Sequence, residues 1–499
     1  MARILIIGGG VAGLSAGIYA QLHGHKTIIC EQHYKTGGNL TGWQRGEYHI
    51  DNCIHWLTGT NPNSDLYKLW QEVGALDNID VYQCESMYTC EKNGDTLSLF
   101  RDIDKLEKRM LEISPEDKKE IKRFINAVKD FELIMGVGGK NHDKKANIAT
   151  YVKLFPTLYL YYNMTTKDLA NRFSHPLLRE FFVSLLGYDF GAIAFLCVAS
   201  TFCSDNGGLP KGGSQAMAQR ITNKFLSLGG EILLKKQAIK IDVENGKATQ
   251  TIFGDGSKIR ADYIILTTEP SVTFEKILPV KMPKELKSDY ESKKLTRFSA
   301  IQTAFACDLP SLPFSADHIF ELPIKYRKIL KTERLIIREF SHESSFAPSG
   351  QTVIQSLTFC LENTAEDFIE LRKKDKNAYA NKKQEIASAV LLAITEKFPS
   401  LCGHLKLLDV WTPASYNRYT GAQIGSFMSF AFSSKVLPIR KSNRIKGLNN
   451  VIMASQWLQN PGGLPLALQN GKHAVETVNK LASLAPTPQK KTLTKPIKT

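Results

Sequence analysis

The hexapeptide Gly8-Gly9-Gly10-Val11-Ala12-Gly13 restricts this chain more than any other segment. It follows Arg3–Gly8 (RILIIG), a short branched apolar run of the kind found in buried parallel strands. It precedes Ala12–His23, which reads as a helix broken at Gly24, and Lys26–Glu31 (KTIICE) is then a second buried strand. In a G-x-G-x-x-G turn between strand and helix each glycine has its own job. Gly8 makes the tight turn, Gly10 lets the backbone approach a pyrophosphate, and Gly13 lets helix and strand pack closely. The first turn of the helix offers free N–H groups and the positive end of its dipole to that pyrophosphate. Glu31 closes the second strand eighteen residues after Gly13, where an acid accepts ribose hydroxyls, and a carboxylate there disfavours a 2′-phosphate. A glycine turn beside an incidental acid is the bland alternative. The combination of strand, turn, helix and acid argues against it.

At 499 residues, the chain has room for two or three domains, or for one large α/β domain with insertions. Its 43% hydrophobic and 23% charged residues are ordinary for a globular protein, which sets aside disorder and coiled coil. The excess of 64 Lys+Arg over 49 Asp+Glu, a net +15, favours anionic surfaces. No zinc finger, RNP-like strand or basic helix repeat accompanies it, so an anionic membrane surface is the expected partner and nucleic acid is not. A merely solvated basic surface explains the charge as well. Nine cysteines without a CxxC pair make neither a disulfide framework nor a zinc site, and the expected compartment is reducing and cytoplasmic. Met1–Leu22 superficially resembles a secretory leader, but Gly8–Gly10 interrupts its apolar run. No charge-free apolar run reaches the ~18 residues of a spanning helix, so any membrane contact is expected to be peripheral. The oligomeric state stays open.

The strand–helix–strand opening is followed by helical patterns over 102–131 and over the aromatic segment Tyr151–Gly187. Strands are expected over Gly229–Val243, Lys247–Phe253 and Ile259–Thr267, with turns at 244–246 and 254–256. Val451–Ser455 reads as a strand, followed by a glycine-rich turn and a helix through Asn479. The expected organisation is a discontinuous cofactor domain (1–80, 205–290 and 405–482) with a substrate domain inserted in two pieces (81–204 and 291–404). A basic tail, 483–499, is expected to be disordered.

Glu31 through Thr41 (EQHYKTGGNLT) resembles the E-x5-G-G continuation of the two-dinucleotide-binding-domain flavoproteins, which implies FAD. No second G-x-G-x-x-G follows, so a separate nicotinamide domain is not expected. Three further segments resemble the phytoene desaturase, carotenoid isomerase and retinol saturase family of FAD-dependent oxidoreductases. These are Tyr48–Leu57 (YHIDNCIHWL), Pro210–Met217 (PKGGSQAM), and Thr412 through Gly425 with its Arg418-Tyr419-Thr420-Gly421 core. Cys53 stands where the family has glycine, and Leu209 where it has tyrosine. The resemblance, from residue 2 to about 480, implies an α/β fold: an FAD-binding Rossmann-like domain with an inserted α+β substrate domain. It implies cofactor contacts at Gly8, Gly10, Val11, Ala12 and Gly13, and at Glu31, Gln32, Gly37, Gly38, Asn39 and Leu40. It also implies contacts at Ala238 and Ile239 beside adenine, and at Gly463, Leu464 and Pro465. Pro465 near the first helical position loses no hydrogen bond, and the family points this helix start at flavin N1 and O2.

The implied activity is oxidation–reduction or isomerisation of carbon–carbon double bonds in an isoprenoid or other lipid polyene. The motifs leave desaturase, saturase and cis/trans isomerase open. An amine-oxidase-like reaction uses the same cofactor domain, and Rab escort and GDP-dissociation-inhibitor proteins share the fold while binding prenyl groups without flavin. The sequence contains no Ser/His/Asp triad, HExxH or other set of metal ligands. A flavin takes hydride itself, so the protein supplies orientation and a dry pocket. Asp51 and His55 could face it from one loop, or equally Asp51 holds the loop and His55 caps a carbonyl. Tyr416 and Arg418 are the other pocket candidates. Tyr151–Tyr162 (YVKLFPTLYLYY) could line a lipid tunnel or meet a membrane interface, or simply be buried.

Overall fold

The computed structural model describes residues 1–134 and 148–484. The expected tail lies outside them except for Ser483 and Leu484, which end the last helix.

Strand β1 (Arg3–Ile7), helix α1 (Val11–Leu22) and strand β2 (Lys26–Cys30) form as the sequence pattern requires. Helix α2 (Gly213–Ser227) leads into β3 (Glu231–Leu233). Strands β4 (Tyr263–Leu266) and β5 (Val451–Met453) complete a five-stranded sheet in the order β3-β2-β1-β4-β5, every neighbour parallel. Helix α3 (Leu464–Leu484) packs lengthwise on α1, where the Ser15 hydroxyl donates to the Leu468 carbonyl at 2.7 Å. With the sheet beneath it and α2 and α3 beside it, α1 is buried from Val11 to Ala20. That explains its lack of a polar face. The other side of the sheet packs on an antiparallel three-stranded sheet, Ala238–Glu244, Lys247–Phe253 and Lys258–Ile259. Lys235, in the left-handed region at φ 55°, divides the single strand expected over 229–243 into two strands of different sheets.

A second, seven-stranded sheet runs in the order 405–411, 298–307, 352–361, 334–339, 317–321, 86–92, 95–100. Its strands are antiparallel except where 317–321 meets 86–92. Separate apolar clusters cover its two faces. On one lie Ile301, Phe305, Ile337 and Ile354 under the helix Lys376–Lys397. On the other, Ala300, Ala304, Ile336, Val353 and Leu357 join Trp411, Tyr416 and the phenylalanines of Pro176–Val183 and Ala192–Cys203. Leu405–Trp411 was expected with the cofactor unit. Its backbone pairs with 298–307 in the seven-stranded sheet.

Candidate cofactor and substrate site

The turn from β1 to α1 has the geometry a dinucleotide needs. Gly8 has φ 105°, a conformation that side-chain-bearing residues rarely adopt, and a Cβ there would lie 2.3 Å from Thr267 Oγ1. A Cβ on Gly13 would lie 1.9 Å from the Gly8 carbonyl oxygen, so only glycine permits this approach of α1 to β1. Gly10, the N-cap of α1, is different: its nearest neighbours would be 3.9 Å away, on Gly37 and Gly38, which leaves room above the helix start. The N–H groups of Val11 and Ala12 lie in that first turn, where a helix supplies no acceptor.

Glu31 is buried at the end of β2. Its Oε2 accepts from the Gly9 N–H at 2.7 Å and its Oε1 from the His33 N–H at 2.8 Å, and each oxygen keeps a lone pair for a hydroxyl. Burial pushes its carboxyl above the ordinary value, against the pull of the His33, Gly9 and Gln32 N–H groups. The second glycine pair joins the same cradle, since the Gly37 N–H donates to the Gly9 carbonyl at 2.8 Å and Leu40 turns back to Gly37 at 3.1 Å. Gln32 is tied outward, donating to the Tyr419 carbonyl at 3.1 Å. Past β3, the N–H of Lys235 donates to the His33 carbonyl at 2.9 Å and that of Lys236 to the Glu31 carbonyl at 2.8 Å. These bonds carry Ala238, buried, and Ile239, exposed, to the end of β2.

At the opposite end a chain of hydrogen bonds links the second glycine turn to the seven-stranded sheet. The Gly463 N–H donates to Gln456 Oε1 at 2.7 Å, and Gln456 Nε2 donates to the Phe427 carbonyl at 3.3 Å. That carbonyl also accepts from Asn39 Nδ2 at 3.4 Å, while the Asn39 carbonyl accepts from Asn52 Nδ2 at 3.1 Å. Asn52 Oδ1 accepts from the Tyr416 hydroxyl at 3.0 Å, which itself accepts from Trp411 Nε1 at 3.1 Å and Gln302 Nε2 at 2.5 Å. Gly463, Leu464 and Pro465 stay partly accessible at the start of α3, with Pro465 as its second residue. Among the sequence candidates, Tyr416 is the hub of this chain. Burial, first among the causes, pushes its phenol well above the ordinary value, so it is a neutral donor. Gln302, Trp411 and Gln456 carry no sequence signal, because each acquires its role from a partner remote in the chain, and the motif that contains Asn52 does not name its partner.

Two candidates take other places. Asp51 secures the start of α2: its Oδ2 accepts from the Ser214 N–H at 2.5 Å, and its Oδ1 from the Ser214 hydroxyl at 2.6 Å and the Cys53 N–H at 3.1 Å. Both oxygens are engaged in holding its loop. Arg418 is exposed, lying over the Tyr419 ring at 5.3 Å, because the helix Pro413–Thr420 turns Tyr416 inward and Arg418 outward. His55 meets residues that the sequence did not connect with it. Its Nδ1 lies 3.5 Å from Asp317 Oδ2, and Arg338 grips the same carboxylate through Nε and Nη2. Arg338 also donates to the carbonyls of Ile54 and His55, each at 2.9 Å. Behind this loop a cavity of about 320 Å³ opens among Ile54, Phe340, Phe346 and the Leu209–Lys211 turn.

The residues present fit a flavin dinucleotide. The open space over Gly10, the first-turn N–H groups and the spare lone pairs of buried Glu31 suit its adenosine diphosphate half. The chain of amides from Gly463 to Tyr416 borders an aromatic face. Among the described residues no group of His, Cys, Asp or Glu could hold a metal ion, and no helix is long and apolar enough to cross a membrane.

Residues 11–479 match the profile of the family described as flavin containing amine oxidoreductase. The chain is similar to the 1-hydroxycarotenoid 3,4-desaturase of Flavobacterium sp. (strain P99-3), 22% identical over 96% of this chain and 99% of that protein. It is similar to the chloroplastic prolycopene isomerase of Daucus carota, 24% identical over 85% of this chain and 71% of that one. It is also similar to the 4,4′-diapolycopene oxygenase of Methylomonas sp., 23% identical over 94% and 96%. Among solved structures, an oxidoreductase from Methanosarcina mazei superposes with a TM-score of 0.61 at 16% identity, covering 96% of this chain and all of that one. Putrescine oxidase bound to putrescine superposes with a TM-score of 0.62 at 13% identity, covering 96% and 99%. These two likenesses are of fold.

Proposed function

We propose, for a chain that belongs to the flavin containing amine oxidoreductase family, that it oxidises, reduces or isomerises carbon–carbon double bonds of a lipophilic isoprenoid polyene. It is an FAD-dependent oxidoreductase, and bound FAD supplies the hydride chemistry. The reading is supported by one observation: the hydrogen-bonded chain from Gly463 ends at Tyr416, whose ring packs into a cluster of apolar and aromatic residues. Such a cluster excludes water and orients a hydrocarbon, and the curated relatives named above act on carotenoids. In this reading Gly10, Val11 and Ala12 meet the pyrophosphate, Glu31 the ribose, Ala238 the adenine, and Gly463 to Pro465 the flavin ring. The test is anaerobic incubation of the FAD-loaded protein with acyclic C40 polyenes, followed by chromatography with absorption detection. A product with a longer, shorter or re-isomerised chromophore supports the reading. Flavin reduced by amines but untouched by polyenes refutes it.

The substrate partitions into bilayers, and the surface carries a matching feature. On the helix Ile148–Tyr162, Val152 (69%), Phe155 (63%) and Tyr159 (63%) are exposed. The Tyr162 carbonyl accepts from the Lys435 N–H at 2.8 Å, which brings exposed Leu437, Ile439, Lys435 and Arg440 beside them. Apolar side chains flanked by cations suit insertion into an anionic leaflet, so peripheral membrane contact is part of the proposal.

A further inference from the structure

Glu269 is a buried carboxylate just beyond β4, the strand that runs beside the dinucleotide turn. Thr267, at the end of that strand, donates its hydroxyl to the carbonyls of Ile7 at 2.8 Å and Gly8 at 3.3 Å. From this position Glu269 joins two segments that border the candidate flavin site. Its Oε2 accepts from the Gln423 N–H at 2.7 Å, and Gln423 opens the stretch to Phe427, whose carbonyl is shared by Asn39 and Gln456. Its Oε1 accepts from the Tyr290 hydroxyl at 3.1 Å. The Tyr290 ring stacks on Trp457 with centroids 6.1 Å apart, and Trp457 follows Gln456, which receives the Gly463 N–H.

The surrounding charges are paired around this carboxylate. Arg297, also buried, places Nη1 3.8 Å from Glu269 Oε1 and donates from the same nitrogen to Gln423 Oε1 at 2.6 Å. Its Nη2 bonds to the more exposed Glu362, and its guanidinium covers the Tyr290 ring at 5.1 Å. Asp289, next to Tyr290 in the chain, is neutralised by Lys441 and accepts from Asn460 Nδ2 at 3.3 Å. Burial, foremost, raises the Glu269 carboxyl above its ordinary value, while the Gln423 N–H, Arg297, Ser271 and Tyr290 pull it back. A buried ion pair adds little stability over an apolar pair of the same volume, so stability alone does not account for this one. In a low-dielectric interior its charges act on their neighbours far more strongly than in water.

We propose that Glu269 is a positioning residue for the flavin. Its carboxylate holds the 423–427 stretch and the Gly463 turn in place, and its negative charge lowers the reduction potential of the bound ring, with Arg297 as the counterweight. The inference needs only bound FAD, so it goes beyond the substrate reading and does not depend on it.

The test is the midpoint potential of the bound flavin, followed by anaerobic dye-coupled reduction of FAD-loaded protein between about pH 5 and about pH 8.5. At the alkaline end, Glu269→Gln should favour the reduced flavin about tenfold over wild type, a potential ~30 mV higher for two electrons. As pH falls towards the raised carboxyl pKa, the wild-type carboxyl takes up a proton and the difference should narrow. Arg297→Gln, which keeps an amide beside Gln423, should move the alkaline potential the opposite way. A lost anchor alone would disturb the same segments in both variants and would produce neither the opposed signs nor the narrowing. An unchanged potential at full FAD content, shifts of one sign in both variants, or a difference as large at about pH 5 as at about pH 8.5 overturns the inference. If Glu269→Gln does not fold, the sign of the Arg297→Gln shift decides alone. If neither variant retains FAD, the pair serves folding only and the inference falls.

Discussion

Two glycines three residues apart should fail in different ways when each becomes alanine. At Gly13 the new methyl would lie 1.9 Å from the Gly8 carbonyl oxygen and 3.1 Å from its carbon, and contacts under 3.0 Å do not occur. Helix and strand must separate by about 1 Å. Overpacking of this kind costs about 1–3 kcal/mol, and the upper end applies because backbone, not a flexible side chain, is in the way. Gly13→Ala should therefore lower the stability of the apoprotein by about 3 kcal/mol and weaken FAD as well. Gly10 has φ −75°, a value any residue adopts, and its methyl would meet nothing closer than 3.9 Å. Gly10→Ala should leave the apoprotein within about 0.5 kcal/mol of wild type. Its methyl would enter the space over the first turn of α1 and reduce FAD affinity at least ~10-fold, ~1.4 kcal/mol. Denaturant unfolding of stripped protein and FAD titration by fluorescence quenching separate the two effects. If Gly10→Ala binds FAD as tightly as wild type, the pyrophosphate does not lie over Gly10 and the reading of this turn is wrong.

Tyr416→Phe leaves Asn52 Oδ1, Trp411 Nε1 and Gln302 Nε2 without a shared partner, so unfolding in urea should show a loss of about 2–3 kcal/mol. A change below about 0.5 kcal/mol would mean that the hub is solvated. Gly463→Asp sets a carboxylate at the start of α3 and should lower the flavin potential by roughly 30 mV, equivalent to ~1.4 kcal/mol for two electrons. An unchanged potential at full FAD content would place this turn away from the ring. His49 is buried with Nε2 unpartnered, and burial holds its pKa below the ordinary value, so the unfolded chain binds the proton more readily. Relative to His49→Gln, wild type should lose stability as pH falls below about 6.5, by at most ~1.4 kcal/mol per unit, until the folded pKa is reached. Parallel profiles for the two proteins between pH 8 and 5 would contradict this. Anionic vesicles should sediment the protein less well as the Debye length shortens from ~10 Å at 0.1 M salt to ~3 Å at 1 M. Phe155→Ser with Tyr159→Ser should weaken binding at both salts, and absence of binding at low salt would reject the membrane contact.

How much could be read without coordinates depended on the distance over which each feature is encoded. The turn at Gly8–Gly13, the acid at Glu31 and the glycine pair at Gly37 and Gly38 lie within one strand–helix–strand unit. There, backbone sterics and helix polarity act between near neighbours, so spacing alone dictates geometry. The same holds for the glycine turn before Leu464. The division of 229–243 at Lys235 was hidden because a non-glycine residue in the left-handed region leaves no compositional mark. Leu405–Trp411 could not be assigned to a sheet from its pattern, since period-two apolarity does not name a partner strand. The catalytic candidates diverged for the same reason. Asp51, Tyr416 and Arg418 were equivalent as polar residues in loop motifs. Packing then turned Asp51 to the start of α2, Tyr416 inward to Asn52 and Arg418 out to solvent. Most of all, the sequence could not join His55 to Asp317 and Arg338, more than 260 residues away. The sequence alone determined the cofactor turn, because its constraints are local. Only the tertiary structure decided which buried polar groups share one face of the seven-stranded sheet, because strand register, and no motif, aligns them.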